Sequence, residues 1–281
     1  MTKTAFRSSI GRKVDPGYPT NRAVLLLLPV AGMIGVALSL TNHESLPHIL
    51  GAAVSTAGAA FIGWALAREL SPDDEYAAFG SMALSVAVTL AVPHTSVMLP
   101  LVTMMLCRLV NRSVGLPPTA LDSVAVFVLG GIVAFAADSP AIAGLMAIAY
   151  ALDALLAPPL RRQGIFAAAS VLLGIVLSMT RGGSFSYIPG NVRWLLVVIA
   201  AMYLAVVMAT RRIHSTDDSA AAPLSLVRVR AAMRLGLLAA FTGFLPGLHA
   251  LERSALIWAV LIGVAAGRAL SLTRTPSPQS P

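Results

Sequence analysis

Two carboxylates, Asp122 and Asp153, fall inside apolar stretches of this chain. An ionisable group in a lipid-facing segment is costly enough to count as a functional hypothesis by default. Asp122 lies just after the start of the fifth apolar stretch, and Asp153 just before the end of the sixth. Two consecutive membrane helices run antiparallel, so both carboxylates sit at similar depth near one face. Tyr150 lies one helical turn from Asp153, and Arg108, Arg112, Arg161 and Arg162 belong to the same face. That constellation is the chemistry of a substrate or ion-coupling site, with Asp122, Asp153 and Tyr150 as the working groups and Arg108 as counter-charge. The competing reading makes Asp122 a helix cap and Asp153 the ion-pair partner of a neighbouring arginine.

A second set, His43, His94, His249 and Glu252, gathers at the opposite face, with His48, Glu44 and Asp138 nearby. Imidazoles beside carboxylates can ligate a transition metal or support acid–base chemistry. No pair has a recognised ligand spacing, so the expectation is no metal and no cofactor, with the histidines as interfacial residues. A third set is acidic: Glu69, Asp73, Asp74 and Glu75, joined later by Asp217 and Asp218. Paired carboxylates can hold Mg²⁺ against a diphosphate, as membrane prenyltransferases do with aspartate-rich loops. The spaced aspartate repeats of those enzymes are missing here, and the loop between the sixth and seventh stretches has no carboxylate. Met98, Met104, Met105 and Cys107 cluster on one helix, where methionine and free cysteine usually fill gaps. With a single cysteine, no intramolecular disulfide can form. The sequence carries no nucleotide-binding loop, nucleophile elbow or zinc-protease motif.

The elements that must position these residues are ten apolar stretches, read as helices near 23–40, 46–66, 74–92, 96–110, 119–136, 139–157, 165–180, 192–210, 228–246 and 253–270. A spanning helix needs about 20 residues, with about 17 at the short end; the fourth and seventh are short. Pro100 predicts a bend in the fourth. Ser71-Pro72-Asp73-Asp74, Thr119-Ala120-Leu121-Asp122 and Ser139-Pro140 read as helix starts. Gly51, Ser55, Ala59 and Gly63 make a small-residue stripe on the second helix, and Gly263 and Gly267 a GxxxG step on the tenth. Such surfaces let helix backbones approach closely, within one chain or across an interface.

Charge orients the bundle. The chain has 281 residues, 57% hydrophobic and only 11% charged, with net charge +8 and mean hydropathy +0.81. Of the 20 Lys and Arg, only Arg181, Arg193 and Arg253 fall on the side opposite the N-terminus. Basic residues stay cytoplasmic near spanning segments, so both termini are expected in the cytoplasm. This placement also accounts for the positive charge without nucleic-acid binding. The sequence therefore predicts an all-α polytopic integral membrane helix bundle of about ten transmembrane helices, N-in and C-in, in the inner (plasma) membrane of a bacterium. Residues 1–22 read as a basic cytoplasmic tail, 23–270 as the bundle and 271–281 as a disordered tail. A five-plus-five arrangement has its seam near Asp138.

Three functions remain open on the sequence. The first expectation is a small secondary transporter or permease for a small molecule rather than an enzyme. The second is a membrane-embedded enzyme acting on a lipid or isoprenoid substrate. The third is a non-catalytic subunit or assembly factor, meeting another copy or a complex partner through Gly51, Gly63, Gly263 and Gly267.

Overall fold

The computed structural model describes residues 8–11, 14–181, 185, 188–218, 222–247 and 249–273. Its elements are α1 (Pro19–Thr41), α2 (Leu46–Leu70), α3 (Glu75–Ala91), α4 (Met98–Asn111), α5 (Ala120–Ala136), α6 (Pro140–Leu155), α7 (Gln163–Arg181), α8 (Gly190–Ala209), α9 (Leu226–Phe241), a 3₁₀ turn (Thr242–Phe244) and α10 (Ala250–Thr273). Among the described residues there is no strand beyond an isolated bridge between Thr216 and Pro223. Five helices, α1, α2, α7, α8 and α10, are long and apolar enough to cross a membrane. The other five are shorter: α4 has 14 residues, and a helix rises about 1.5 Å per residue.

Small residues set the tightest packing. α3 lies between α2 and α10, presenting Ala77 and Ser81 to α10 and Ser85, with the Ser81 carbonyl, to α2. A side chain at Gly263 would meet the Ser81 backbone nitrogen at 2.6 Å, and one at Gly267 the Ala77 Cα at 2.5 Å. Gly63 meets Ser85 in the same way. The GxxxG step of α10 and the lower half of the α2 stripe are thus occupied inside the chain. Gly51, with nothing within 4 Å, faces outward. The centre of the bundle is α4, where 11 of 14 residues are buried, packed against α9, α2, α6 and α5.

Helix ends differ instructively from their expected positions. Thr119 and Asp122 form the complete capping box that starts α5. α3 starts later than Ser71 suggests: Asp74 is its cap, accepting from the Ala77 amide at 3.2 Å. That frees Asp73 for another task, described below. Pro100 sits in the first turn of α4, where a missing N–H leaves no intrahelical bond unmade. It starts the helix rather than bending it, and the proline inside a helix is Pro29 of α1. α1 and α5 both end in the Schellman pattern, with His43 and Asp138 in the left-handed region (φ 55° and 47°). Glu44 N–H donates to Ser39 C=O at 3.1 Å, and Ser139 N–H to Ala134 C=O at 3.0 Å. These are the six-to-one bonds that close a helix C-terminus.

Candidate functional site

The loops sort into two ends. Segment 8–11 and the loops after α2, α4, α6 and α8 are joined by hydrogen bonds at one end. The α3–α4 loop and the start of α10 meet at the other, where His94 and His249 stack with ring centroids 4.0 Å apart.

At the first end, α4 supplies Arg108, Asn111 and Arg112, each aimed at a different neighbour. Arg112 is the α4 C-cap, in the left-handed region (φ 54°). That geometry turns its side chain to α6, where its nitrogens lie 2.7 and 2.9 Å from Asp153 Oδ1. Arg228, in the first turn of α9, donates to the same oxygen at 2.8 Å. Gln163 approaches Oδ2 at 3.3 Å. Asp153 is fully buried, so two guanidinium groups and an amide replace its hydration. Arg228 also donates to the carbonyls of Val110, Leu156, Ala157 and Pro158. It thereby satisfies three carbonyls of the turn that follows α6 and one of the last carbonyls of α4 as well as the carboxylate.

Arg108 faces the other way. Its Nε donates to Glu69 Oε1 at 2.8 Å and its Nη1 to Ile10 C=O at 2.9 Å. Arg108 is therefore the counter-charge of Glu69 and not of Asp122 or Asp153. One turn separates Arg108 from Arg112, and the C-cap twist sends the two to different helices. Asn111 adds a bond from its Nδ2 to Glu69 C=O at 2.8 Å.

Among the described residues no arginine pairs with Asp122. Its carboxylate accepts from the Ser8 hydroxyl at 2.6 Å, from the Ser9 amide and hydroxyl at 3.1 and 3.0 Å, and from the Thr119 amide and hydroxyl at 2.9 and 2.8 Å. Part of the expected basic tail is thus seated on the bundle, closing the layer over Arg108 and Asp122. Tyr150 is fully buried and donates to Ser123 C=O at 2.6 Å. Its hydroxyl is bonded to neither carboxylate. Among the residues just named, three are cationic, Arg108, Arg112 and Arg228, and three are acidic, Glu69, Asp122 and Asp153.

The loop 210–225 is anchored where it is described. Asp73 accepts from the backbone amides of His214 and Ser215 and from the Ser215 hydroxyl at 2.6 Å. Partial burial opposes ionisation of Asp73, but the Ser215 hydroxyl and the two amides outweigh it and hold its carboxyl below the usual range. Asp218 N–H adds a bond to Ser113 C=O at 3.1 Å.

At the second end, His94 and His249 both occupy the left-handed region (φ 56° and 46°). They border a cavity of about 290 Å³ with Arg253 at its rim and Ile132 and Val133 of α5 as its wall. His249 Nδ1 lies 4.0 Å from Glu252 Oε1. Parallel imidazoles stack rather than converge on a point, and among the described residues no three metal-ligating side chains meet. The structure brings His94, His249 and Glu252 together. His43 is elsewhere, at the turn that ends α1, where its backbone rather than its ring is used.

Sequence reasoning missed Glu69, Arg228, Gln163, Ser8 and Ser9 as partners of the named residues. Glu69 carried a usable signal, being an acid inside the last turn of an apolar helix, where a cation must answer it. Comparison with protein-family models, with curated proteins and with solved structures returned no match.

Proposed function

We propose that this is a plasma-membrane protein of bacterial type, with ten spans and both termini in the cytoplasm, acting as a non-catalytic subunit or assembly partner of a larger membrane complex. The observation that carries this reading is the state of Asp153: fully buried and held by Arg112, Arg228 and Gln163. A coupling carboxylate has to exchange its ligand with a cation or proton. Asp153 is instead consumed in bonds that join α4, α6, α7 and α9, and Asp122 in bonds that tie segment 8–11 to α5. Outward-facing small residues support the same reading. Gly144 and Gly174 line an open groove of about 350 Å³ along α6 and α7, and nothing lies within 4 Å of a side chain placed at Gly144. A partner helix can approach such a groove closely.

The test is purification from the native membrane in mild detergent. A stoichiometric protein partner is expected, lost in Gly144→Leu while the chain stays folded. A monodisperse chain that binds a small molecule by itself would overturn the reading.

Secondary transport is the second reading, favoured by the cavity beside His94 and His249. It requires the inner layer to open and uncover Asp122 and Asp153. Uptake that survives both Asp122→Asn and Asp153→Asn would remove the coupling role.

A further inference from the structure

α9 carries three arginines, and only one of them belongs to the inner layer. Arg228 is buried, but Arg234 is exposed and Arg230 partly so. The latter two are four residues apart and therefore share a face, one turn above the other. Apolar Val227 and Leu238 are exposed on either side of them along the helix. Arg234 lies eight residues into α9, about 12 Å along its axis. That depth is far inside an apolar bundle for an exposed guanidinium.

Neither arginine has an anion among the described residues. Arg234 makes no hydrogen bond or ion pair there. Arg230 has one weak contact, from its Nη2 to Met208 Sδ of α8 at 3.9 Å. Its Nε is buried with no acceptor, a state that costs free energy unless something supplies one. α8 and α9 contain no Asp or Glu, so no carboxylate on either helix can answer them.

We propose that Arg230 and Arg234 form a binding site for the headgroup phosphate of an anionic phospholipid, held against α9 beside Met208. Side chains on a helix lean toward its N-terminus. Both guanidinium groups therefore reach toward the end that carries the inner layer, where headgroups lie. Guanidinium forks pair bidentately with phosphate oxygens, and two forks one turn apart bracket one headgroup. Acyl chains then run along Leu238 toward the membrane centre. The proposal rests on the membrane-spanning reading and is independent of the complex-subunit reading.

The experiment uses the delipidated full-length chain with vesicles of phosphatidylglycerol or phosphatidylcholine, and lipid retained per protein is counted by native mass spectrometry. The parent chain is expected to retain phosphatidylglycerol over phosphatidylcholine. Arg230→Gln with Arg234→Gln should reduce that preference about tenfold or more, the scale of a lost charge-assisted hydrogen bond. Arg211→Gln with Arg212→Gln, on the exposed loop, should leave it unchanged. Arg234→Gln alone, at an exposed position, keeps the test valid if the double variant fails to fold. The proposal is overturned by equal retention of the two lipids, by equal loss in the Arg211/Arg212 variant, or by displacement with millimolar inorganic phosphate. It is also overturned if Arg234→Gln releases a co-purifying protein and leaves retained lipid unchanged.

Discussion

Replacing Asp153 by Asn keeps the shape of the side chain and removes the negative charge on which two buried cations converge. Arg112 and Arg228 each place a nitrogen within 2.8 Å of Asp153 Oδ1. Two positive charges held about 5 Å apart repel by about 3 kcal/mol at an effective dielectric of about 20. Breaking a buried pair by removing one partner costs about 3–5 kcal/mol, and the two figures agree in scale. Arg228 keeps four carbonyl acceptors in the variant, so the strain should fall chiefly on Arg112. The assay is reversible unfolding in mixed micelles for Asp153→Asn, Arg112→Gln and the double variant. We expect a loss of about 3–5 kcal/mol for the first and a double variant more stable than additivity requires, with a coupling energy above about 1 kcal/mol. A loss below about 1 kcal/mol with additive behaviour would refute the reasoning and return Asp153 to the list of groups free to titrate.

Gly267→Ala should force α3 and α10 apart and cost about 1–3 kcal/mol, read by thermal unfolding, whereas Gly51→Ala should cost little because its surroundings are open. Asp122→Asn weakens both a helix cap and the seat of segment 8–11, so α5 should lose about 0.5–2 kcal/mol and a protease should cut near Ile10 faster than in the parent. Asp73 has a carboxyl held below its usual range, so it binds a proton less readily folded than unfolded. Its contribution is present above the ordinary carboxylate pKa of about 4 and fades as pH falls through the lower folded value. The protection factors of the His214 and Ser215 amides, exchange rates taken relative to the intrinsic rate at each pH, should therefore stay high near neutrality and fall in acid, and Ser215→Ala should move that fall to higher pH.

The helices were legible because hydrophobic runs and caps are local. The Thr119–Asp122 box was read in full, and α2 begins where its Leu46 predicts. Where local signals competed, one lost. Ser71-Pro72-Asp73-Asp74 offers two caps in a row, and Asp74 won because Asp73 is held by the α8–α9 loop 141 residues away. The candidate residues were legible as types but not as pairs. Asp153 had two readings, a coupling group or the ion-pair partner of an arginine, and in the structure it meets arginines. That the arginines are Arg112 and Arg228, with Arg108 drawn off to Glu69, depends on helix positions separated by as many as 75 residues. The turn histidines show the reverse failure. His43 looked chemical, yet it occupies a left-handed helix stop, where histidine is one of the few side chains regularly tolerated.

The central claim is that ten helices cross the bilayer, the short α4 included, and leave the arginine layer on the cytoplasmic side. It is tested most directly by single cysteines at Thr95, Leu116, Asn191 and Thr216, labelled from outside intact cells with an impermeant maleimide. Cys107 is buried and gives no background. The account predicts labelling at positions 95 and 191 only, with 116 and 216 reacting after the cells are opened. Labelling of 95 and 116 from the same side would mean that α4 does not cross, and labelling of 216 from outside would invert the bundle; either result contradicts the account.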